Sequence, residues 1–193
     1  MFLNFLLECR VYIAHYIRYT YCLEPLSHKN RLSHFAIDES LFTHLDGIQI
    51  WILGMINNES NAIRLDIINQ RDCDILKKLI NTHIMPGNYL ITDSWSGYSF
   101  LDDSEEGYIN FSFNHSLGNF GSRLLSTSRI ESVWSELKSI IKKIYSTIRS
   151  KNFIYFLKES EYRRPIKNLT NIGKSKILLL LFLVLILGIM KIF

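Results

Sequence analysis

The sequence predicts an α/β fold in which a mixed five-stranded sheet is flanked by helices. Two patterns in the 193 residues lead to this prediction. Among the short strand-like segments between residues 34 and 114, those at 62–68 and 108–114 alternate apolar and polar side chains, as strands with one buried face do. Residues 126–146 instead carry apolar side chains at intervals of three and four, which is the spacing of a helix with one buried stripe.

The first part of the chain predicts a helix followed by an antiparallel meander. Residues 5–23 place apolar side chains around most of a helix, and Pro25 with the polar run after it ends that helix. Residues 1–33 are therefore predicted to form a helical preface. Strands are predicted at 34–42, 48–56 and 62–68. Their connections are short, which favours antiparallel pairing of sequential strands.

The later part predicts a mixture of helices and strands. The predicted elements are a helix, two strands and two helices, at 72–84, 88–92, 108–114, 126–146 and 151–164. Asp72 is the expected N-cap of the first of these helices. Trp134 belongs to the apolar stripe of the long helix and is predicted to lie in the core. The predicted folded domain thus extends over 34–164, and residues 165–193 are predicted to form a basic linker and a hydrophobic tail.

Charge is distributed unevenly along the chain, although the formal net charge is only +4. Residues 1–122 carry 8 Lys and Arg against 14 Asp and Glu, whereas residues 123–176 carry 13 against 4. A basic region of this kind is typical of a surface that binds nucleic acid or an anionic membrane, and also of a solvated helix face. The 48% apolar and 21% charged residues exclude a disordered or fibrous chain.

Cysteine usage argues against both a disulfide scaffold and a structural zinc site. Cys9, Cys22 and Cys73 are odd in number and far apart, with no pair at the short spacing of a zinc knuckle. The opening residues do not have the basic region of a secretory signal. We therefore expect a reducing, intracellular compartment and no zinc.

The tail contains a hydrophobic segment at residues 177–190, which is predicted to form a C-terminal helix. It has fourteen consecutive apolar or Gly residues, or about 21 Å of helix, which is short of the roughly 30 Å hydrocarbon core. Basic residues before it suit the cytoplasmic side of a membrane. Membrane association through 177–190 and a non-native tail on a decayed gene are both open interpretations.

Three acidic residues lie where predicted strands and the long helix can converge. Asp38 is placed at the tip of the first strand, Asp93 at the end of the fourth, and Glu131 near the start of the long helix. Oxygen ligands that converge from different elements are what a divalent metal needs for phosphoryl chemistry. Simpler structural roles are also open: the aspartates can form Asx turns, and Glu131 can complete a capping box with Ser128.

Several longer strings resemble the ISXO2-like transposase domain, a family of insertion-sequence DDE transposases with an RNase H-like core. The strings are AIDESLFTH, QIWILGMI, ITDSWSGYSFLD, NHS, STSRIESVWSELK and YSTIRSKNFIYFLKESEYRR. They follow the order of the family from about His34 to Arg164, which is some two thirds of the chain. The resemblance implies an RNase H-like fold for the predicted sheet and helices.

The resemblance also implies which residues form the site. Asp38 and Asp93 stand in the positions of the first two catalytic aspartates, and Glu131 stands where the third acid is expected. These three would also be the metal ligands. Members of the family often have Asn where this chain has Ser128, and that position is sometimes counted as the third ligand. We favour Glu131, because a carboxylate binds magnesium better than a hydroxyl does.

Basic residues of the long helix are candidates for DNA contact. Lys138 follows Glu131 by seven residues, nearly two helical turns, so both lie on one side of the helix. The resemblance assigns a lysine at this spacing to DNA near the transposon end. Lys142 and Arg129 are further candidates. His115, in the family's NHS string, either touches the substrate or bonds a loop carbonyl.

The function implied is DNA transposition: strand cleavage and transfer with two Mg²⁺ or Mn²⁺ ions, acting on double-stranded DNA at transposon ends and target. An active homo-oligomer, associated with DNA and nuclear in a eukaryote, is expected. Three alternatives stay open. The first is a nuclease on the same core, the second is a catalytically inactive or domesticated remnant that binds DNA, and the third is a membrane-tethered protein.

Overall fold

The computed structural model describes residues 32–43, 47–102, 107–113, 125–144 and 153–166. The predicted N-terminal helix, the hydrophobic segment at 177–190, and His115 lie outside these ranges. The chain divides into two compact units, one formed by residues 24–153 and the other by residues 1–23 with 154–193. The first unit contains the sheet and the candidate site.

The sheet has five strands in the order β3-β2-β1-β4-β5. Their bounds are β1 His34–Thr43, β2 Gln49–Asn57, β3 Ile63–Ile68, β4 Tyr89–Asp93 and β5 Ile109–Phe113. Strands β1 to β3 form the predicted antiparallel meander, while β4 runs parallel to β1 and β5 runs parallel to β4. The mixed five-stranded sheet predicted from the sequence is confirmed.

Polar side chains close the turn between β2 and β3. The amide nitrogen of Asn57 donates to the Ala62 carbonyl, and the Asn57 side-chain oxygen accepts from the amides of Glu59 and Ser60. Asn61 adopts a φ of 62°, a left-handed conformation that Asn tolerates better than most residues. The turn is therefore fixed by its own asparagines, and it also contacts the start of the long helix, as described below.

Three α-helices and one 3₁₀-helix accompany the sheet in the described part of the chain. They are α1 Cys73–His83, the 3₁₀-helix Ser96–Asp102, α2 Ser128–Ile144 and α3 Phe153–Ile166. Asp72 caps α1, because its side chain accepts from the amides of Asp74 and Ile75. The predicted cap and the three predicted helices are confirmed.

The two faces of the sheet are covered by different helices. Odd-numbered β1 residues, such as Phe35 and Ile37, share a buried cluster with Leu76 and Ile80 of α1 and with Tyr98 of the 3₁₀-helix. Even-numbered residues of β1 point the other way, toward α2, because side chains alternate along a strand. Ile130, Val133, Trp134 and Leu137 form the buried stripe of α2. The apolar stripe predicted for this helix, including Trp134, is confirmed as core.

Together these elements form an α/β sandwich with helices on both faces of a mixed sheet, which confirms the predicted RNase H-like fold class. None of the helices in the described ranges is long and apolar enough to cross a membrane.

Candidate active site

Asp38 lies within β1 and faces α2. It is the fifth of ten residues in this strand, so its predicted position at the strand tip is wrong. The strand continues because Leu41, Phe42 and Thr43 still pair with β2. The Oδ2 atom of Asp38 accepts a 2.8 Å hydrogen bond from Nε1 of Trp134 in α2. Asp38 is therefore a partly buried carboxylate in the centre of the sheet, held from the neighbouring helix.

Asp93 is the last residue of β4, as predicted. Strands β1 and β4 are paired up to Ala36 opposite Ile91, and Asp93 lies close enough to Asp38 for its charge to act on that carboxyl. The Oδ1 atom of Asp93 accepts from the amide of Trp95 at 3.1 Å. This is an Asx turn, so the structural role considered for Asp93 is present, and the bond also orients its carboxylate.

Glu131 lies on an exposed part of the first turn of α2. Its backbone amide donates to the carbonyl of Thr127, and its Oε1 accepts from the Thr127 hydroxyl at 2.8 Å. The capping box predicted for Ser128 and Glu131 is not formed, because Ser128 is the first residue of the helix and the Glu131 carboxylate bonds the Thr127 hydroxyl instead. Ser128 is exposed. The Thr127 hydroxyl holds the Glu131 carboxylate at the end of α2 near the sheet.

The charges of Asp93 and Glu131 both act on the carboxyl of Asp38. Burial raises the pKa of Asp38 above its ordinary value, and the hydrogen bond from Trp134 opposes that rise. The negative charges of Asp93 and Glu131 raise the pKa of Asp38 further. Asp93 of β4 and Glu131 of α2 are thus both close enough to Asp38 for their charges to act on it. A cation placed among them would relieve this repulsion.

The described side-chain positions do not form a compact ligand group. Within the described ranges, no three His, Cys, Asp or Glu side chains lie close enough together to hold a metal ion. The chemical nature of the acids nevertheless suits magnesium, because all three offer carboxylate oxygens. The donor set fits a hard cation in kind, while the ligand geometry stays a prediction.

The basic residues predicted for DNA contact have different surroundings. Lys138 and Lys142 are exposed on α2, and the ammonium of Lys138 lies 5.4 Å from the centre of the Phe42 ring. Arg129 instead donates to the side chain of Asn61 in the β2–β3 turn. Asn58 of the same turn donates to the Ser126 carbonyl at 3.4 Å. The turn therefore supports the start of α2, where Glu131 lies.

A second polar cluster lies on the opposite face of the sheet. Glu39 directly follows Asp38, and its side chain has no exposed surface. Its Oε1 accepts from the Tyr98 hydroxyl at 2.6 Å, and its Oε2 accepts from Nη2 of Arg71 at 3.1 Å. Burial raises the pKa of Glu39, whereas the bond from Tyr98 and the charge of Arg71 lower it. Glu39 is thus a buried acid with both oxygens bonded.

Two tryptophans enclose the guanidinium of Arg71. Its central carbon lies 3.9 Å from the ring centre of Trp95 and 5.2 Å from that of Trp51. Trp95 also contacts Tyr98 edge-on, with ring centres 5.9 Å apart. We call Glu39, Arg71, Trp95 and Tyr98 the arginine cluster. It connects β1 to the turn that follows Asp93.

The arginine cluster and the Trp134–Asp38 bond were not predicted from the sequence. The available signal was the period of β1: Glu39 follows Phe35 and Ile37 at intervals of two, on a face predicted to be buried. A carboxylate on such a face needs a cationic or hydrogen-bonding partner. Which residue supplies it was not evident, because Arg71 and Tyr98 are 32 and 59 residues away.

Comparison with known proteins supports the assignment made from the sequence. The family model for the ISXO2-like transposase domain matches residues 47–165, more than half of the chain. Asp93, Glu131 and Lys138 lie inside the matched stretch, and Asp38 lies nine residues before it. No curated protein matches the chain.

A solved structure has a similar fold. It is a chain of the cryo-electron microscopy structure of the simian T-cell lymphotropic virus intasome in complex with PP2A regulatory subunit B56 gamma. The similarity has a TM-score of 0.50 at 11% sequence identity, and covers 70% of this chain and 50% of that one. At this identity the similarity is one of fold. From the family match, the chain belongs to the ISXO2-like transposase domain family.

Proposed function

We propose that this chain is the catalytic domain of a DDE transposase, which cleaves and joins DNA strands in a metal-dependent reaction. The observation that carries the proposal is the geometry around Asp38. Parallel pairing of β1 with β4 brings Asp38 near Asp93, and the bond from Trp134 holds Asp38 against α2, the helix that carries Glu131. These acids come from a central strand, the neighbouring parallel strand and a packed helix. Membership of a transposase domain family supports the same function.

Two Mg²⁺ or Mn²⁺ ions are proposed as cofactors, held by Asp38 and Asp93 with Glu131 completing the site. When bound, such ions supply an activated water or 3′-hydroxyl and stabilise the leaving oxygen. In the chain itself, Trp134 orients Asp38, the Trp95 amide orients Asp93, and the Thr127 hydroxyl orients Glu131. Ser128 is not included, because a hydroxyl is a poorer magnesium ligand than the nearby carboxylate.

The proposed substrate is double-stranded DNA at transposon ends and at the target. Glu131, Lys138 and Lys142 are all exposed on α2, so the lysines can contact backbone phosphates close to the proposed site. Arg129 is better explained as a support for α2, because its guanidinium is bonded to Asn61. We also propose that several copies of the chain assemble on paired DNA ends, and that this takes place inside the cell.

A second candidate function is a remnant that binds DNA without cleaving it. One observation favours it: the described carboxylates do not form a three-ligand group. A DNA-binding remnant would bind DNA through the exposed lysines of α2, and its DNA binding would not depend on Asp93. A simple nuclease on the same core would need Asp93 for DNA cleavage but would form no joined products.

Cleavage of DNA by the purified chain tests these functions. We predict cleavage with Mg²⁺ or Mn²⁺, and its loss in Asp93→Asn, because the substitution keeps the size of the side chain and removes its charge. Asp74→Asn is the matched control, since Asp74 is an exposed acid on α1. Labelled transposon-end DNA and a plasmid target distinguish hydrolysis from joining.

Each outcome separates the candidates. Joined products that require Asp93 support a transposase, and cleaved but unjoined products indicate a nuclease. DNA binding without cleavage by the wild-type chain indicates a remnant. Wild-type cleavage that persists in Asp93→Asn would contradict the proposed site.

A further inference from the structure

A glycine lies opposite Asp38 in the middle of the sheet. Gly54 of β2 is the direct partner of Asp38 in the antiparallel register, so the two residues lie on the same face. Glycine weakens a strand interior and often marks the close approach of another group. A methyl group built on Gly54 would lie 2.5 Å from Cη2 of Trp134 and 2.7 Å from Cδ1 of Ile130. The absence of a side chain at Gly54 therefore allows α2 to approach the sheet.

This close approach fixes the indole of Trp134. Its side chain is only 6% exposed, and its ring meets the Phe42 ring edge-on, with centres 6.0 Å apart. The indole is rigid, so contacts on its six-membered ring also determine where its nitrogen lies. That nitrogen is 2.8 Å from Oδ2 of Asp38. The missing side chain at Gly54 thus lets the indole of Trp134 lie where it can bond Asp38, a proposed metal ligand.

The chemistry of this bond suits a group that positions a carboxylate. An indole nitrogen donates and never accepts. A donor of this kind bonds a carboxylate oxygen without bringing a positive charge that would compete with a cation. With Oδ2 held, the carboxylate of Asp38 cannot rotate freely about its terminal bond, and the position of Oδ1 is determined as well.

We propose that Trp134 is the positioning residue for Asp38, and that Gly54 is required so that the indole can reach it. This inference rests on the proposed function, since it concerns how the same site binds a cation and cleaves DNA. A structural role in core packing is present in addition, because the indole is buried. The two roles differ in what they affect: packing sets the stability of the fold, whereas positioning sets the cation affinity and kcat of the folded protein.

Two substitutions remove the bond in different ways. Trp134→Phe keeps an aromatic ring and removes the donor, while Gly54→Ala keeps the donor and displaces the ring. We expect each to weaken Mn²⁺ binding by roughly 10–100-fold, as loss of a group that orients a ligand commonly does. The kcat for DNA cleavage should fall while the KM for DNA stays near the wild-type value.

The matched control is Trp51→Phe. Trp51 is a partly buried tryptophan of β2, and it lies beside Arg71 on the opposite face of the sheet. Mn²⁺ affinity is measured by calorimetry on the full chain, below the unfolding temperature of each variant by circular dichroism. Trp51→Phe should bind Mn²⁺ as the wild type does.

A readout that needs no change at Trp134 covers the case in which its variants do not fold. The indole N–H resonance of Trp134 should shift in Asp38→Ala and stay unchanged in Asp74→Ala. An unchanged resonance in Asp38→Ala would overturn the inference. So would wild-type Mn²⁺ affinity and kcat in folded Trp134→Phe and Gly54→Ala. A wild-type chain that binds no Mn²⁺ would overturn the proposed function, and the inference that rests on it.

Discussion

Asp38 and Glu39 are adjacent acids in one strand, yet they lie on opposite faces of the sheet and have opposite surroundings. Asp38 is partly exposed and close to the negative charges of Asp93 and Glu131. Glu39 has no exposed side-chain surface, and the cation of Arg71 and the hydroxyl of Tyr98 bond its two oxygens. The strand period, rather than the residue type, thus determines which acid is available to a ligand.

The different surroundings of the two acids suggest different roles: a proposed cation ligand for Asp38 and a structural role for Glu39. Asp93 and Glu131, the charged groups that raise the pKa of Asp38, are both negative, and a divalent cation would offset them. Around Glu39 the charge is already balanced by Arg71, so the acid contributes to the structure of the sheet and of the turn after Asp93. Burial raises the pKa of both acids. A raised pKa alone therefore does not identify the functional acid.

Arg71→Met should have the largest effect on stability. It would leave the buried Glu39 carboxylate without its cation, which we expect to cost about 2–4 kcal/mol, since a buried acid that loses its partner is strongly destabilising. The matched control is Lys78→Met, because Lys78 is exposed on α1. Urea unfolding of both variants measures the effect. Equal midpoints for Arg71→Met and Lys78→Met would contradict the structural role of the arginine cluster.

The pH dependence of stability should show a smaller effect of Glu39. Its pKa in the folded protein is raised above the ordinary 4.5, so the folded state holds this proton more tightly than the unfolded state does. Its contribution to stability is therefore largest below pH 4.5 and is lost as the pH rises through the raised pKa. The slope for one proton is at most about 1.4 kcal/mol per pH unit.

Glu39→Gln provides the comparison, because glutamine cannot ionise. As the pH rises from about 4 to 7, the wild-type chain should lose stability relative to this variant. Urea unfolding of the two proteins at each pH measures the difference. A constant difference, or one that changes in favour of the wild type, would mean that the Glu39 pKa is not raised by folding.

The sequence predicted the elements of the fold better than the contacts between them. Alternation at Ile63, Leu65 and Ile67 predicted β3, and the carboxylate of Asp72 predicted the start of α1, because these signals are local. Asp38 was placed at a strand tip, although the predicted strand at 34–42 already extended past it. In the structure β1 continues to Thr43, because its last residues still pair with β2.

Contacts between distant segments were not predictable in this way. The bond from Trp134 to Asp38 joins residues that are 96 apart in sequence, and the apolar stripe of α2 predicted only that the indole is buried. The predicted capping box at Ser128 failed for a local reason, since the STS run offers several adjacent hydroxyls and the Ser128 amide donates to the Ser126 hydroxyl. The family resemblance therefore indicated the three acids and the lysines as candidates, whereas their hydrogen-bond partners required the tertiary structure.

The most direct test of the central claim compares Asp38→Asn with Glu39→Gln in one experiment. Both substitutions remove one carboxylate charge from β1 and keep the side-chain size. Mn²⁺ affinity by calorimetry and DNA cleavage are measured on each folded variant. We predict that Asp38→Asn loses cleavage and most of its Mn²⁺ affinity, while Glu39→Gln keeps both within a few-fold of the wild type. Retained cleavage in Asp38→Asn, or its loss in a folded Glu39→Gln, would contradict the division of roles between the two faces.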